Sequence, residues 1–324
     1  MRTWLAQIAK LALVVALLYL LGTSGYLSME LTRRALSHHG EMLLAGGLLL
    51  ATVLMCSWRW RQLLRAQGIS LSLARVTALT FVGNFFNLAL PGAVSGDFVK
   101  AFYIGREAPE RRGLAFGSIL FDRVMGLSAL VIVSAAALAF TMDGAKDGAI
   151  MKSVQALVFA LAGGFCLFYA YLFVVRPEND IALRLLKSLE ARVPRLATVA
   201  QIYLGVRHFH DHRITVLGTF LVSVAIHLTL GVVFLALARA LGEGQLSLPQ
   251  VYSVVPTGIL ISTIPVAPAG LGTGHAAFLV LFRLVGSERG ADMFTLYAMG
   301  NIVLGCVGGL LYLRLRSTQA APSA

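Results

Sequence analysis

Three short stretches hold most of the polar chemistry of an otherwise apolar chain: "NLALPGAVSGDFVK" (87–100), "LFDRVMGL" (120–127) and "VAPAGLGTGHAAF" (266–278). Lys100 and Arg123 have the charge to hold a phosphate through charge-assisted hydrogen bonds. Asp97 and Asp122 could orient those cations or exchange protons. In an enzymatic reading either would act as a base or a metal ligand beside a phosphate. Pro91, Gly92 and Gly96 in the first stretch, and Pro268, Gly270, Gly272 and Gly274 in the third, permit broken backbone and close approach. Asn84 and Asn87 stand three apart on one helical face and could point into one cavity. Gly126, His275 and Asn301 complete the candidate substrate-binding set.

Each residue also has a purely structural reading. Asp122 could pair with a neighbouring basic residue and lock a helix bundle. The three asparagines could serve as interhelical hydrogen bonds. His227, alone on an apolar helix, fits a structural role. Asp122 and Arg123 diverge by about 100° around a helix axis, so each is expected to find its partner elsewhere.

The elements that must position these residues are membrane spans. The chain has 324 residues, is 58% hydrophobic and 13% charged, and has a mean hydropathy of +0.80, outside the range of soluble domains. Six apolar runs are long enough to cross a bilayer core: about 8–27, 42–58, 114–140, 153–175, 214–238 and 292–313. The first follows Arg2 and Lys10 and has no small-residue cleavage site after it, so it reads as a retained helix.

Formal net charge is +12, and topology accounts for it without nucleic acid. Most of the basic residues fall at the N-terminus, at 59–75, at 100–112, at 176–213 and at Arg314 and Arg316. Placing these inside puts both termini in the cytoplasm of a cell-membrane protein. Cys56, Cys166 and Cys306 lie far apart within spans and read as small apolar residues.

This topology closes only if residues 76–104 do not cross. The arm 76–90 is too short to pair with another crossing, and a single crossing would put the 100–113 cluster outside. A re-entrant hairpin broken at Pro91–Gly92 satisfies both limits, provided it is buried in protein or lines a watery cavity. The arms 249–267 and 276–285 repeat the pattern. Gly92 pairs with Gly270, Gly96 with Gly274 and Asp97 with His275, at a constant offset of 178 residues. The expected fold is therefore all-α: about six transmembrane helices and two re-entrant broken-helix hairpins in an inverted repeat. It forms one membrane domain over 1–316, with halves at about 1–140 and 153–316 and a short disordered tail at 317–324.

The loop 176–213 is expected to be cytoplasmic and basic. Leu183, Leu186, Leu189 and Val193 against Arg184, Lys187 and Arg192 make 181–206 an interfacial amphipathic segment. In "RHFHDHR" (207–213), His208, His210, Asp211 and His212 invite a metal, but a basic segment meeting anionic headgroups is the better reading. G-x-x-x-x-G-K, G-x-S-x-G and H-E-x-x-H are all absent, and "GLGTGH" lacks dinucleotide spacing, so no cofactor is expected.

"LPGAVSGDFVKAFYI", "FDRVMGLSAL" and "PVAPAGLGTGHAAF", in that order, resemble the lysylphosphatidylglycerol synthase transmembrane-region family of flippase-like membrane proteins. The likeness covers nearly the whole chain. Pro91, Gly96, Asp97, Asp122, Arg123, Gly126, Gly270 and Gly272 match the family pattern. Lys100 stands where arginine is usual, which loses the bidentate fork. His275 stands where glutamate is usual, which removes an acid from the second hairpin. Larger members add a soluble aminoacyl-transferring domain, and the end at Ala324 leads us to expect none here.

The resemblance implies a translocator of an anionic phospholipid or lipid-linked intermediate, its headgroup phosphate held between the hairpins by half-helix N-termini, Lys100 and Arg123. One alternative is a membrane-embedded transferase acting on polyprenyl-phosphate or phospholipid. Another is a membrane partner that recruits a separate soluble synthase through its basic loop.

Overall fold

The computed structural model describes residues 37–89, 95–141, 149–190, 193, 196–263 and 272–317. Its described residues form helices and turns with no strand. The helices are α1 (His39–Ala66), α2 (Leu73–Ala89), α3 (Ser95–Glu107), α4 (Arg112–Thr141), α5 (Ala149–Val174), α6 (Ile181–Glu190), α7 (Ala197–Arg207), α8 (Arg213–Ala240), α9 (Leu248–Ser262), α10 (Thr273–Leu284) and α11 (Gly290–Ser317).

Five segments are long and apolar enough to cross a membrane: His39–Ala66, Pro109–Phe140, Lys152–Val174, Arg213–Ala240 and Gly290–Arg314. They coincide with the second to sixth expected spans. The expected first span, 8–27, the breaks at Pro91–Gly92 and Pro268–Gly270, and the tail lie outside the described residues. α2, α3, α9 and α10 have 17, 13, 15 and 12 residues. Each is shorter than the roughly 20 residues a crossing needs.

Two compact units divide the chain. One comprises the residues up to Leu54 with Thr77–Val99 and Leu228–Ala324; the other comprises Met55–Val76 and Lys100–His227.

In the first unit α11 is the common support. Its N-terminal part carries α10, with Phe278 and Phe294 ring centroids 5.2 Å apart. Its C-terminal part carries α2, where Phe86 meets Tyr312 edge-on at 5.0 Å. Ser247 and Gln250 close a capping box that starts α9.

In the second unit α4 has that role. Gly113 and Gly117, one turn apart, receive α7 at Gln201 and Gly205. A Cβ on Gly117 would lie 2.7 Å from the Gly205 Cα, so the two backbones meet directly. This small-xxx-small contact is how helices associate where lipid weakens the hydrophobic drive between them. Phe121 of α4 stacks on Phe209 at 4.2 Å, within a buried cluster with Leu63, Met125, Leu172, Val206 and Val216.

The 176–213 loop departs from its expected form. α7 is docked on α4, with Ala200, Gly205, Val206 and Arg207 buried, because its small residues match the α4 glycines. α6 retains an amphipathic character, but Leu183 faces inward while Ile181, Leu185 and Leu189 face out. "RHFHDHR" is also reassigned. Arg207 donates to the carbonyls of Tyr171, Leu172 and Val175, His210 Nδ1 meets the Leu172 carbonyl at 2.8 Å, and Arg213 donates to Phe173 at 3.0 Å. The motif caps the C-terminus of α5, whose last carbonyls have no helical partner. Among the described residues, no three His, Cys, Asp or Glu side chains gather as a metal site.

Candidate functional site

The second unit places an ion pair at membrane depth. α1 runs to Ala66, past the expected end at 58, so Arg59 is a buried helical residue and not part of a loop. Its Nε reaches Asp122 Oδ1 at 2.8 Å and its Nη2 reaches Oδ2 at 3.0 Å. The remaining nitrogen, Nη1, donates to Ser223 Oγ at 2.9 Å, and that hydroxyl donates to the Thr219 carbonyl at 2.8 Å. α1, α4 and α8 are thereby joined at one guanidinium. Gly126 packs beside this guanidinium, where a Cβ would stand 3.4 Å from Nη1, an ordinary contact.

His227 lies one turn beyond Ser223, and its Nε2 meets the Gly126 carbonyl at 3.0 Å. A carbonyl only accepts, so the proton is on Nε2, and Nδ1 is buried with no hydrogen-bond partner among the described residues.

Asp122 and Arg123 separate as helix geometry requires. Asp122 is buried against Arg59, whereas Arg123 is exposed on another face of α4. Arg123 lies about 17 Å into a helix of 30 residues, near mid-span. Lys100 is buried on α3 with Nζ 5.0 Å from the Trp60 ring centre, a cation–π contact. Arg59, Lys100, Asp122 and Arg123 all belong to this unit, and Asp97 is buried one turn before Lys100 on α3.

In the first unit the other described candidates lie toward helix ends, except Asn301 in the middle of α11. Asn87 Oδ1 accepts the Gly96 N–H at 2.8 Å, closing α2 against the start of α3. A Cβ on Gly96 would come within 1.9 Å of the Gly83 carbonyl oxygen, which only glycine avoids. Asp97 follows in the first turn, where a carboxylate suits the helix dipole. Asn84 is half-buried one turn before Asn87.

Gly272 takes φ +89 before α10 and His275 is the third residue of that helix. The His275 Nδ1 accepts the Gly272 N–H at 3.3 Å and its Nε2 lies 3.0 Å from Thr295 Oγ1. A glutamate at this helical position commonly makes the same return bond. The Phe294 ring fills the space beside Gly274. Asn301 Nδ2 donates to the Tyr297 carbonyl at 2.9 Å, within its own helix.

Neither Arg59 nor Ser223 belonged to the candidate set. The run "CSWRWRQLLRA", which keeps apolar residues at helical spacing beyond 58, is the signal that could have extended α1 to reach Arg59.

Long apolar helices, charges at span depth and short apolar helices define an all-α multi-pass membrane protein. The lysylphosphatidylglycerol synthase TM region family model matches residues 7–318, and the chain belongs to that family. It is similar to a UPF0104 membrane protein of Methanothermobacter thermautotrophicus, 26% identical over 285 residues, covering 80% of this chain and 78% of the other. It is also similar to a UPF0104 membrane protein of Pyrococcus horikoshii, 23% identical over 257 residues, covering 74% and 75%. No solved structure matches the chain.

Proposed function

We propose that the chain translocates a phospholipid or lipid-linked intermediate across the cell membrane, with its anionic headgroup recognised by Arg123 and Lys100. The carrying observation is the separation of the Asp122–Arg123 pair. Asp122 is committed to Arg59 by two hydrogen bonds, while Arg123 stands exposed near mid-span. A cation there is costly in lipid and typically marks a substrate path. The charges of Lys100 and Arg123 suit a phosphate, and the Trp60 ring holds Lys100 in place. Asp122 holds Arg59, and Asp97 stands one turn before Lys100 on α3.

In this reading α2–α3 and α9–α10 are re-entrant pairs of an inverted repeat, supported by helices too short to cross. One N–H at each of these helix starts, that of Gly96 and that of Gly272, already has a side-chain acceptor, and this reading places recognition on the basic side chains. The basic 176–213 segment and both termini face the cytoplasm.

The test is leaflet exchange of labelled anionic phospholipid in liposomes holding the purified chain. Arg123→Gln should reduce exchange to the protein-free rate while insertion and thermal unfolding stay as in wild type. Unchanged exchange in the variant would remove Arg123 from the path.

A further inference from the structure

α5 ends in a corner built from buried polar groups. Asp180, fully buried, accepts from the Leu183 N–H at 3.0 Å, the Tyr171 hydroxyl at 2.7 Å and the Tyr203 hydroxyl at 2.9 Å. Arg207 Nε lies 2.7 Å from its other side. Asp180 therefore caps the start of α6 while Arg207 caps the end of α5, and the angle between the two helices is fixed from both sides. Beside this corner is a cleft of about 490 Å³ lined by Tyr171, Val174, Val175, Arg176, Asn179 and Ile181.

The surroundings of the cleft belong at a bilayer surface. Only 11% of the most apolar stretch of α5 is buried, so this helix is bounded largely by lipid. Val174, at its end, is 77% exposed. Ile181, 74% exposed, begins an outward apolar stripe on α6 that continues through Leu185 and Leu189. Arg176, Arg184, Lys187 and Arg213 outnumber Glu178, Glu190 and Asp211 around it. A helix C-terminus ordinarily repels an anion, but here Arg207, His210 and Arg213 occupy the α5 carbonyls and offset that field.

We propose that this cleft is a binding site for an anionic glycerophospholipid of the adjoining leaflet, separate from the translocation path. Arg176 and Asn179 hold the phosphate, while Val174, Val175 and Ile181 meet the glycerol and upper acyl segments. The interfacial helix α6 covers the neighbouring headgroups, so the bound lipid fixes the depth of this corner in the membrane.

The test is thermal unfolding of the full chain in detergent, titrated with dioctanoyl phosphatidylglycerol, with dioctanoyl phosphatidylcholine or with inorganic phosphate. Phosphatidylglycerol should raise Tm saturably, and Arg176→Gln should weaken half-saturation about tenfold, the loss of one charge-assisted bond. Arg176→Lys should recover most of that loss. An equal response to phosphatidylcholine overturns the anionic headgroup, and an equal response to inorganic phosphate overturns the lipid. Unaltered half-saturation in Arg176→Gln overturns the site, whatever becomes of the translocation reading.

Discussion

The second unit contains two buried aspartate–arginine pairs, built differently. At the α5–α6 corner, Asp180 has four partners and Arg207 reaches three backbone carbonyls besides the acid. Each member also ends a helix. At membrane depth, Arg59 and Asp122 bond mainly to each other and to one serine, and the exposed Arg123 follows Asp122 directly. The corner is a joint made only of internal bonds. The mid-span pair holds three helices with fewer bonds and leaves a neighbouring charge facing outward. Burial of an ion pair is thus not evidence of function; the exposed cation that follows Asp122 at mid-span is the informative feature.

The comparison is most easily broken by removing each acid or base in turn. Asp180→Ala should have the largest effect, about 4 kcal/mol, because it leaves a buried guanidinium, two hydroxyls and an N-terminal N–H without their acceptor. Denaturant unfolding in mixed micelles measures it. Arg59→Met should cost about 3 kcal/mol by leaving Asp122 uncompensated, and adding Asp122→Leu should restore most of that stability. Lipid exchange in the double variant then sharpens the contrast. Exchange at the wild-type rate would make the mid-span pair a lock like the corner, whereas loss of exchange in a refolded bundle would tie it to transport. A larger loss in Arg59→Met than in Asp180→Ala would reverse the ranking. Gly117→Ala should cost about 2 kcal/mol by forcing α7 off α4, seen as a lowered Tm.

The smallest effect is in pH. Burial alone would raise the Asp180 carboxyl, but the Leu183 N–H, the Tyr171 and Tyr203 hydroxyls and the Arg207 charge outweigh it and hold it below the usual range. The unfolded chain therefore binds this proton first as pH falls. The contribution of Asp180 is complete above about pH 4 and is lost progressively below it. Asp180→Asn should flatten that acid limb and nothing else in the profile. A difference between wild type and variant in pH slope from 7 to 5 would count against the assignment.

Much of this was legible in the sequence. Five spans agree with their apolar runs, since length and composition decide what lipid accepts. Asp122 stood out because a charge inside such a run is rare. Gly113 and Gly117, spaced four apart, and Asp180 ahead of "IALRLL" carry packing-face and helix-cap signals that the expectations from sequence did not use. The partners were harder to find. Arg59 meets Asp122 across 63 residues, and His210 meets Leu172 across 38. Local periodicity carries no signal for such pairings, so the capping role of "RHFHDHR" was not legible. Asn87 and His275 closing helix ends also depended on bonds that spacing alone did not specify.

The direct backbone contact between α4 and α7 also sets an order in time. Gly205 follows Gly117 by 88 residues, with all of α5 and α6 between them. At about 5–20 residues per second of synthesis, roughly 4–18 s separate the emergence of the two glycines from the ribosome. During that interval α4 has entered the membrane with its glycine face still lacking α7. The contact that organises the second unit therefore closes only after α4, α5 and α6 have been made.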